Sequence, residues 1–416
     1  MLKIQVYFLQ SISLFISHFH FFTFAFMKKL SVVLLLFCFL NSCSQKKLPD
    51  YFYVRTSDSL PFLKYGLGED RLGGAKMTFL DSNVVLRVVD SVKDDYRIQL
   101  SELHSAYIQK EKVHKIAPIN YQQHLTDSWE VHGDSLYDYV TIKLDEKLPY
   151  RSMMEIHPSR IVLDIFGALS NTNWITQLST AKEIKNAWYE QPEDDVMRVI
   201  IELTHQQNWG YRIFYTDDNK LTVMVKRQPV KLDIGHIKIA VDAGHGGENI
   251  GARGVSTHIK EKDYTLLIAK EVTRQLIKKK ANVVMTRVKD TTLSMFERIQ
   301  FLGQQNPDLL VSIHLNSSSK DSISGVSTYY RYIGFRPLSQ AILKSMLQTG
   351  LSEFGNVGNF NFSLNGPTDY PNCLVEVAFL SNKKDERKIR DPKFRQLVAT
   401  KIIAGIEAFL KSSASQ

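Results

Sequence analysis

Two histidines and two glutamates are the residues of this chain whose types and surroundings could do chemistry. His245 sits in a glycine-rich loop, between Gly244 and the pair Gly246 and Gly247, directly after a β-branched apolar run at residues 237–241. Glycines let a backbone turn sharply and approach a ligand closely. His314 closes a second apolar run, residues 308–314, and is followed by Asn316 and several serines. Glu261 opens a segment whose apolar positions Tyr264, Leu267, Ile268, Val272 and Leu276 recur at helical spacing. Two imidazoles and one carboxylate make the ligand set of a catalytic zinc site, which leaves one position for water. Taken singly, His245 reads more readily as a turn residue. Taken together, each candidate stands at the end of an element, and in open α/β sheets ligands gather beyond the carboxyl ends of strands. Glu376 interrupts the apolar run at residues 371–382. A buried carboxylate without a partner costs several kcal/mol or takes up a proton, so Glu376 needs a metal, a catalytic task, or an ion pair with Arg287 or Arg298.

The elements that must position these residues alternate as βαβ units do. Strands are predicted at 237–241, 282–286, 308–314, 325–332 and 371–382, with helices from 261, over 337–354 and over 394–410. Ser294 and Glu297 form a capping box that opens another helix and puts Arg298 in its first turn. The pattern predicts an α/β domain at 235–413, a mostly parallel twisted sheet with helices on both faces. The segment 355–369 is rich in Gly and Asn; it suits the lining of a cleft better than a helix. His258 and Glu248 compete as ligands but read as solvated loop residues. Asp242, just before the first histidine, is a candidate to support it from behind, and Asn316 and Arg298 are candidates to hold substrate or order the site.

Here the residues carry a resemblance. Residues 237–412 resemble the catalytic domain of zinc-dependent N-acetylmuramoyl-L-alanine amidases, through the blocks VDAGHGG with GARG, EKDYTLLIA, VVMTR with Asp290, LSMFERI, LLVSIHLNSS and CLVEVAFLSN, in the family's order. The resemblance implies that His245, Glu261 and His314 bind Zn2+ and that Glu376 is the catalytic glutamate. It also implies the substrate, the amide between N-acetylmuramic acid and L-alanine in peptidoglycan. The family usually has Asp four residues after the first histidine, where this chain has Asn249. Two alternatives stay open at this point. One is a zinc metallopeptidase acting on the stem peptide; the other is a non-catalytic wall-binding lipoprotein, against which the full set of four residues argues.

The remaining half of the chain reads as delivery rather than chemistry. The 416 residues of the whole chain allow two or three domains, and its 44% hydrophobic and 23% charged residues are an ordinary globular composition. The net charge of +9 suits an anionic partner, but no stripe of basic and aromatic residues points to nucleic acid. Residues 1–47 read as a signal and lipoprotein segment whose true start is Met27. Its apolar stretch, residues 30–40, is too short to span a bilayer, and Leu40-Asn41-Ser42-Cys43 resembles a bacterial lipoprotein box, with Cys43 lipidated and the protein anchored in the envelope on the periplasmic side. The three cysteines offer no disulfide framework, and Cys373 reads as a packed core thiol. Residues 50–118 predict a small all-β module, either a Src-homology-type barrel or a plain structural one. Residues 125–228 predict further strands, and the runs RIVLDIFGA, MRVIIEL and DNKLTVMVKR resemble the AMIN domain, a β-sandwich that targets amidases to the envelope. The expected assembly is a monomer.

Overall fold

The C-terminal sheet explains how residues so far apart in sequence can meet. Its strands are β1 (Lys238–Ala243), β2 (Asn282–Met285), β3 (Leu309–Asn316), β4 (Val326–Tyr329), β5 (Glu353–Val357) and β6 (Asn372–Phe379), laid out in the order β2-β1-β3-β6-β4-β5. β1 pairs in parallel with both β2 and β3, β3 with β6, and β4 with β5; β4 runs antiparallel to β6. β1, β3 and β6 are buried along nearly their whole length. Strands covered on both faces need continuous apolar runs of this kind. From β1 the chain steps outward to β2, then crosses back to β3 on the other side. Right-handed crossovers in opposite directions put their helices on opposite faces. Accordingly α1 (Glu261–Lys278) packs Ile268, Ala269, Val272 and Leu276 on one face, whereas α2 (Met295–Gln305) packs Leu302 against Ala240 and Leu310 on the other. The order reverses between β1 and β3, so the crevice beyond their carboxyl ends is where a ligand fits.

The helix expected over 337–354 is shorter. α3 (Arg336–Met346) passes into a 3-10 turn, Leu347–Thr349, and stops at Gly350, whose φ of 75° is left-handed. β5 then occupies residues expected at the end of that helix and the start of the 355–369 loop; its Glu353, Gly355 and Asn356 carry little strand propensity, and it sits at the sheet edge. α4 (Lys383–Arg390) and α5 (Pro392–Ser413) close the chain, with α5 against α1 and α3.

The computed structural model describes residues 51–415 apart from 59, 70, 71 and 120–123; the signal segment, Met27 and Cys43 lie outside the described residues. No helix among those described is long and apolar enough to cross a membrane. Residues from Phe52 onward make one compact unit. It begins with a seven-stranded antiparallel sheet built from Phe52–Thr56 to Val113–Lys115. A five-stranded sheet containing Trp129–Gly133, Tyr137–Lys143 and Lys220–Lys226 follows, together with a four-stranded one containing Ser159–Phe166 and Val196–Leu203. One continuous apolar core joins these three sheets, running from Val54 through Val225 and taking in Phe335 from the C-terminal region.

Candidate metal centre

His245, Glu261 and His314 come together at the crevice. One ligand atom from each lies within 4.8 Å of the others, and no other group of three or more metal-ligating side chains gathers among the described residues. His314 is the sixth residue of β3 and is buried; Glu261 is the first residue of α1 and is buried; His245 follows β1 and is partly exposed. Glu261 Oε1 lies 3.0 Å from His314 Nδ1 and accepts from Leu315 N at 2.9 Å. Its Oε2 lies 3.1 Å from His245 Nε2 and accepts from Ala252 N at 2.7 Å. Burial opposes the charge of this carboxylate, but the two imidazoles outweigh it and hold the carboxyl far below its usual range. Burial likewise opposes protonation of His245, while Glu261 outweighs it and raises that imidazole.

The backbone has been shaped to let these side chains approach. Gly244 runs under the His314 ring, where a Cβ would stand 2.5 Å from ring atoms. Gly251, at a φ of 67°, passes so near Glu261 that a Cβ would lie 2.4 Å from Oε2. His245 itself holds a φ of 60°, a left-handed conformation that a non-glycine residue keeps only where its surroundings insist. Two buried arginines supply that insistence. Arg287 donates to the carbonyls of Ala243 and Gly244 at 2.9 Å each and to Lys262 O at 2.7 Å. Arg298 donates to His245 O at 2.5 Å and to Ala243 O at 3.0 Å, and its Nη1 pairs with Asp242 at 2.5 Å. Burial opposes the Asp242 charge, yet Arg298, with hydroxyl bonds from Ser312 and Thr286 at 2.6 Å, holds its carboxyl below the ordinary range.

Asp242 therefore does not touch the His245 ring. The ring's partner is Asn249, whose Oδ1 lies 2.8 Å from His245 Nδ1 and also accepts from Gly251 N. An amide oxygen can only accept, which makes Nδ1 the donor and turns the Nε2 lone pair toward the cluster. The sequence departure at this position thus keeps the acceptor and drops the charge. Arg298 is sealed behind the loop, so it orders the site and cannot meet substrate. Asn316 ends β3, with Nδ2 3.3 Å from the Tyr329 hydroxyl and Oδ1 accepting from Ser317 N. His258 and Glu248 are exposed and lie outside the cluster. Cys373 is buried, and burial pushes its thiol up.

Glu376 stands directly opposite His314 in the β3–β6 register and opposite Ser327 in β4. Partners in register point to the same face about 4.8 Å apart, so the second glutamate faces the same crevice as the cluster. Phe362 closes its rim, edge-on to the His314 ring at 5.3 Å. The sequence names Asn249 only as a departure, Arg287 only as an ion-pair partner for Glu376, and Phe362 only as part of the cleft-lining segment 355–369; their contacts come from the structure. The signal for Asn249 is its position one tight turn beyond His245; for Phe362 it is the turn-rich composition of 355–369, which points to the cleft without singling out one residue.

A divalent metal fits these residues. His314 Nε2 is buried and meets no hydrogen-bond partner, and an imidazole nitrogen left so is a lone pair waiting for a cation. The donor set of two nitrogens and a carboxylate is that of catalytic zinc sites.

Comparison with known proteins places the C-terminal region in a family. The family model described as N-acetylmuramoyl-L-alanine amidase matches residues 239–408, and the AMIN domain model matches residues 127–232. The Bacillus subtilis protein YqiI is 33% identical over 175 residues, 41% of this chain and 84% of its own length. A Staphylococcus aureus protein, named as the probable cell wall amidase LytH, is 31% identical across 42% of this chain and 58% of its own length. Among solved structures, the catalytic domain of CwlV, an amidase of Paenibacillus polymyxa var. colistinus, is 34% identical, with a TM-score of 0.41, covering 42% of this chain and 98% of that one. With its C-terminal α/β region matched from end to end, this chain belongs to the N-acetylmuramoyl-L-alanine amidase family.

Proposed function

We propose that the protein hydrolyses the amide between N-acetylmuramic acid and L-alanine in peptidoglycan, with Zn2+ held by His245, Glu261 and His314 and with Glu376 as the acid–base group. The observation that carries this reading is the convergence of the three ligand atoms within 4.8 Å, with Glu376 one strand away from His314 on the same face. When bound, zinc supplies a Lewis acid and lowers the pKa of water from about 15.7 to about 7. His245 presents Nε2 because Asn249 occupies Nδ1, and Glu261 is held for ligation by two backbone amides. Glu376 takes the proton of the attacking water on its carboxylate. It then delivers that proton to the amide nitrogen as the carbon–nitrogen bond breaks, so the amine leaves neutral and the glutamate is restored. Arg287 and Arg298 keep the loop carbonyls fixed while this happens, which removes reorganisation from the reaction.

In the same reading Cys43 carries a lipid that anchors the enzyme in the cell envelope on the periplasmic side. The region 125–228 acts as an AMIN-like targeting sandwich, and the module at 50–118 braces it. Digestion of purified sacculi by the full chain, followed by mass analysis of the products, tests the reaction. Free stem peptides beginning with L-alanine support it; cuts inside the stem peptide mean a metallopeptidase, and no release means a wall-binding protein. Metal analysis of the same sample tests for zinc.

A further inference from the structure

The rim segment that carries Phe362 onto His314 is held from outside the catalytic sheet. Asn361 Oδ1 accepts from Lys76 N at 2.9 Å, and its Nδ2 donates to Gly74 O at 3.0 Å, both in the N-terminal β module. Beside this clasp opens a cavity of about 490 Å³, lined by Tyr65, Lys76, Met153, Arg331 and Asn359 among others. Its two cations have no counter-charge among the described residues. Lys76 Nζ meets only the Asn361 carbonyl, at 3.4 Å, and the Phe62 ring, at 5.3 Å. Arg331 spends Nη2 on the carbonyls of Lys76 and Met77, while its Nη1 is buried with no hydrogen-bond partner. Burial, then the neighbouring Arg331 and Lys64, push the Lys76 ammonium down from its usual range. Lys64 is already neutralised by Asp95 at 2.7 Å. Lys76 and Arg331 are each half-buried, and holding two unneutralised cations side by side there is costly, so an anionic visitor is what the cavity lacks.

Its place along the sheet says which anion. Ser327 of β4 stands opposite Glu376, and Arg331 lies four residues further on, at the end where β4 leaves the sheet. β4 ends at Tyr329, so the span from Ser327 to Arg331 is at most about 13 Å, which an extended peptide of about four residues covers. The module that supplies Lys76 also covers this face of the sheet, since Phe79 packs against Gly366.

We propose that this cavity is a subsite for a carboxylate of the substrate's peptide, formed jointly by Lys76 of the N-terminal module and Arg331 of the catalytic region. The proposal rests on the reading of the protein as a peptidoglycan amidase. It makes the N-terminal module part of the substrate site: the enzyme prefers stem peptides with a free carboxylate about four residues from the scissile bond.

Lys76→Met tests it with little risk to the fold, because the Asn361 and Arg331 bonds use the main chain of residue 76 rather than its side chain. The full chain is titrated by calorimetry with a free stem tetrapeptide and with the same peptide amidated at every carboxylate. The wild type is expected to bind the acid about tenfold or more tightly, as for a lost charged hydrogen bond, and the variant to lose that preference. Hydrolysis of the matching muramoyl tetrapeptides should show the KM of the acid rising about tenfold in the variant, with kcat and the amidated substrate unchanged. Equal binding of acid and amide by the wild type overturns the subsite, as does a variant that keeps the preference. A wild type that hydrolyses neither substrate refutes the amidase reading separately, because the calorimetric preference decides the subsite without turnover.

Discussion

Arg298→Met should cost more stability than any exposed charge deletion in the protein, and the structure says why. Arg298 and Asp242 each have about 1% of their side chain exposed, and they meet at 2.5 Å. Methionine fills much of the same space but leaves the Asp242 carboxylate buried with only the Ser312 and Thr286 hydroxyls. Removing one partner of such a pair costs about 3–5 kcal/mol, because the other charge is stranded. For a domain of this size each kcal/mol lowers Tm by about 2–4 °C, so the catalytic region should melt about 6–20 °C lower. The loss should also reach the metal. Arg298 holds the carbonyl of His245 in its left-handed turn, and removing such a support weakens metal binding by about 10–100-fold. Thermal unfolding of Arg298→Met, Asp242→Asn and the double variant measures the first effect, and chelator competition measures the second. The double variant should recover part of the loss, since neither charge remains. A variant within about 1 kcal/mol of wild type and with unchanged zinc affinity would show that the pair is neither buried in effect nor coupled to the loop.

Glu376→Gln should keep zinc and lose turnover by about 10²–10⁴-fold, measured on sacculi alongside metal content; near-full activity would make Glu376 structural. His314→Ala should lose metal and activity together, read by metal analysis after gel filtration. Asn249→Ala should weaken zinc binding by about tenfold, because His245 Nδ1 then has no acceptor to fix its tautomer; unchanged affinity would remove Asn249 from that role. Asp164 lies buried between Arg198 and Arg151, at 2.7 and 2.9 Å; burial opposes its charge, but the two arginines hold its carboxyl below the ordinary range. A carboxyl depressed by folding stabilises above its unfolded pKa of about 3.9, and that stability is lost as pH falls through the lower folded value. Urea unfolding should therefore show Asp164→Asn about 2 kcal/mol less stable at pH 7, a figure kept small because both arginines reach solvent, with the gap narrowing toward pH 2.

Sequence reading found the cluster because its residues stand at the ends of strongly patterned elements. The β-branched apolar run before His245 reads as a buried strand, which β1 is, and Ser294 with Glu297 announces α2, whose capping box the structure contains. Weakly patterned elements escaped it. β5 is polar at an edge, and Tyr150–Ile156 and Ile184–Glu193 of the four-stranded sheet interleave Arg, Ser, Asn and Glu among their apolar residues. Contacts made only by folding had no local signature at all. Arg287 looked like a partner for Glu376 and instead clamps carbonyls; Asp242 looked like a partner for the His245 ring and instead anchors Arg298. Asn361 and Lys76 are 285 residues apart, and neither belongs to a recognisable motif.

The shared core of the first three sheets bears on how this protein comes apart. The N-terminal module and the sandwich have no separate oil drops to keep them folded alone, and Phe335 ties the same core to the first turn before α3. The catalytic sheet keeps two further cores, one of which takes in Trp209 from the sandwich, packed on Phe409. Melting should therefore divide the described residues into two cooperative blocks rather than three, with residues 52–226 yielding as one. A protease cut between the two N-terminal regions would leave an apolar scar on each piece and invite aggregation. What resembles a string of interchangeable beads in the sequence is thus inherited, damaged and degraded as a fused front half with an enzyme leaning on it.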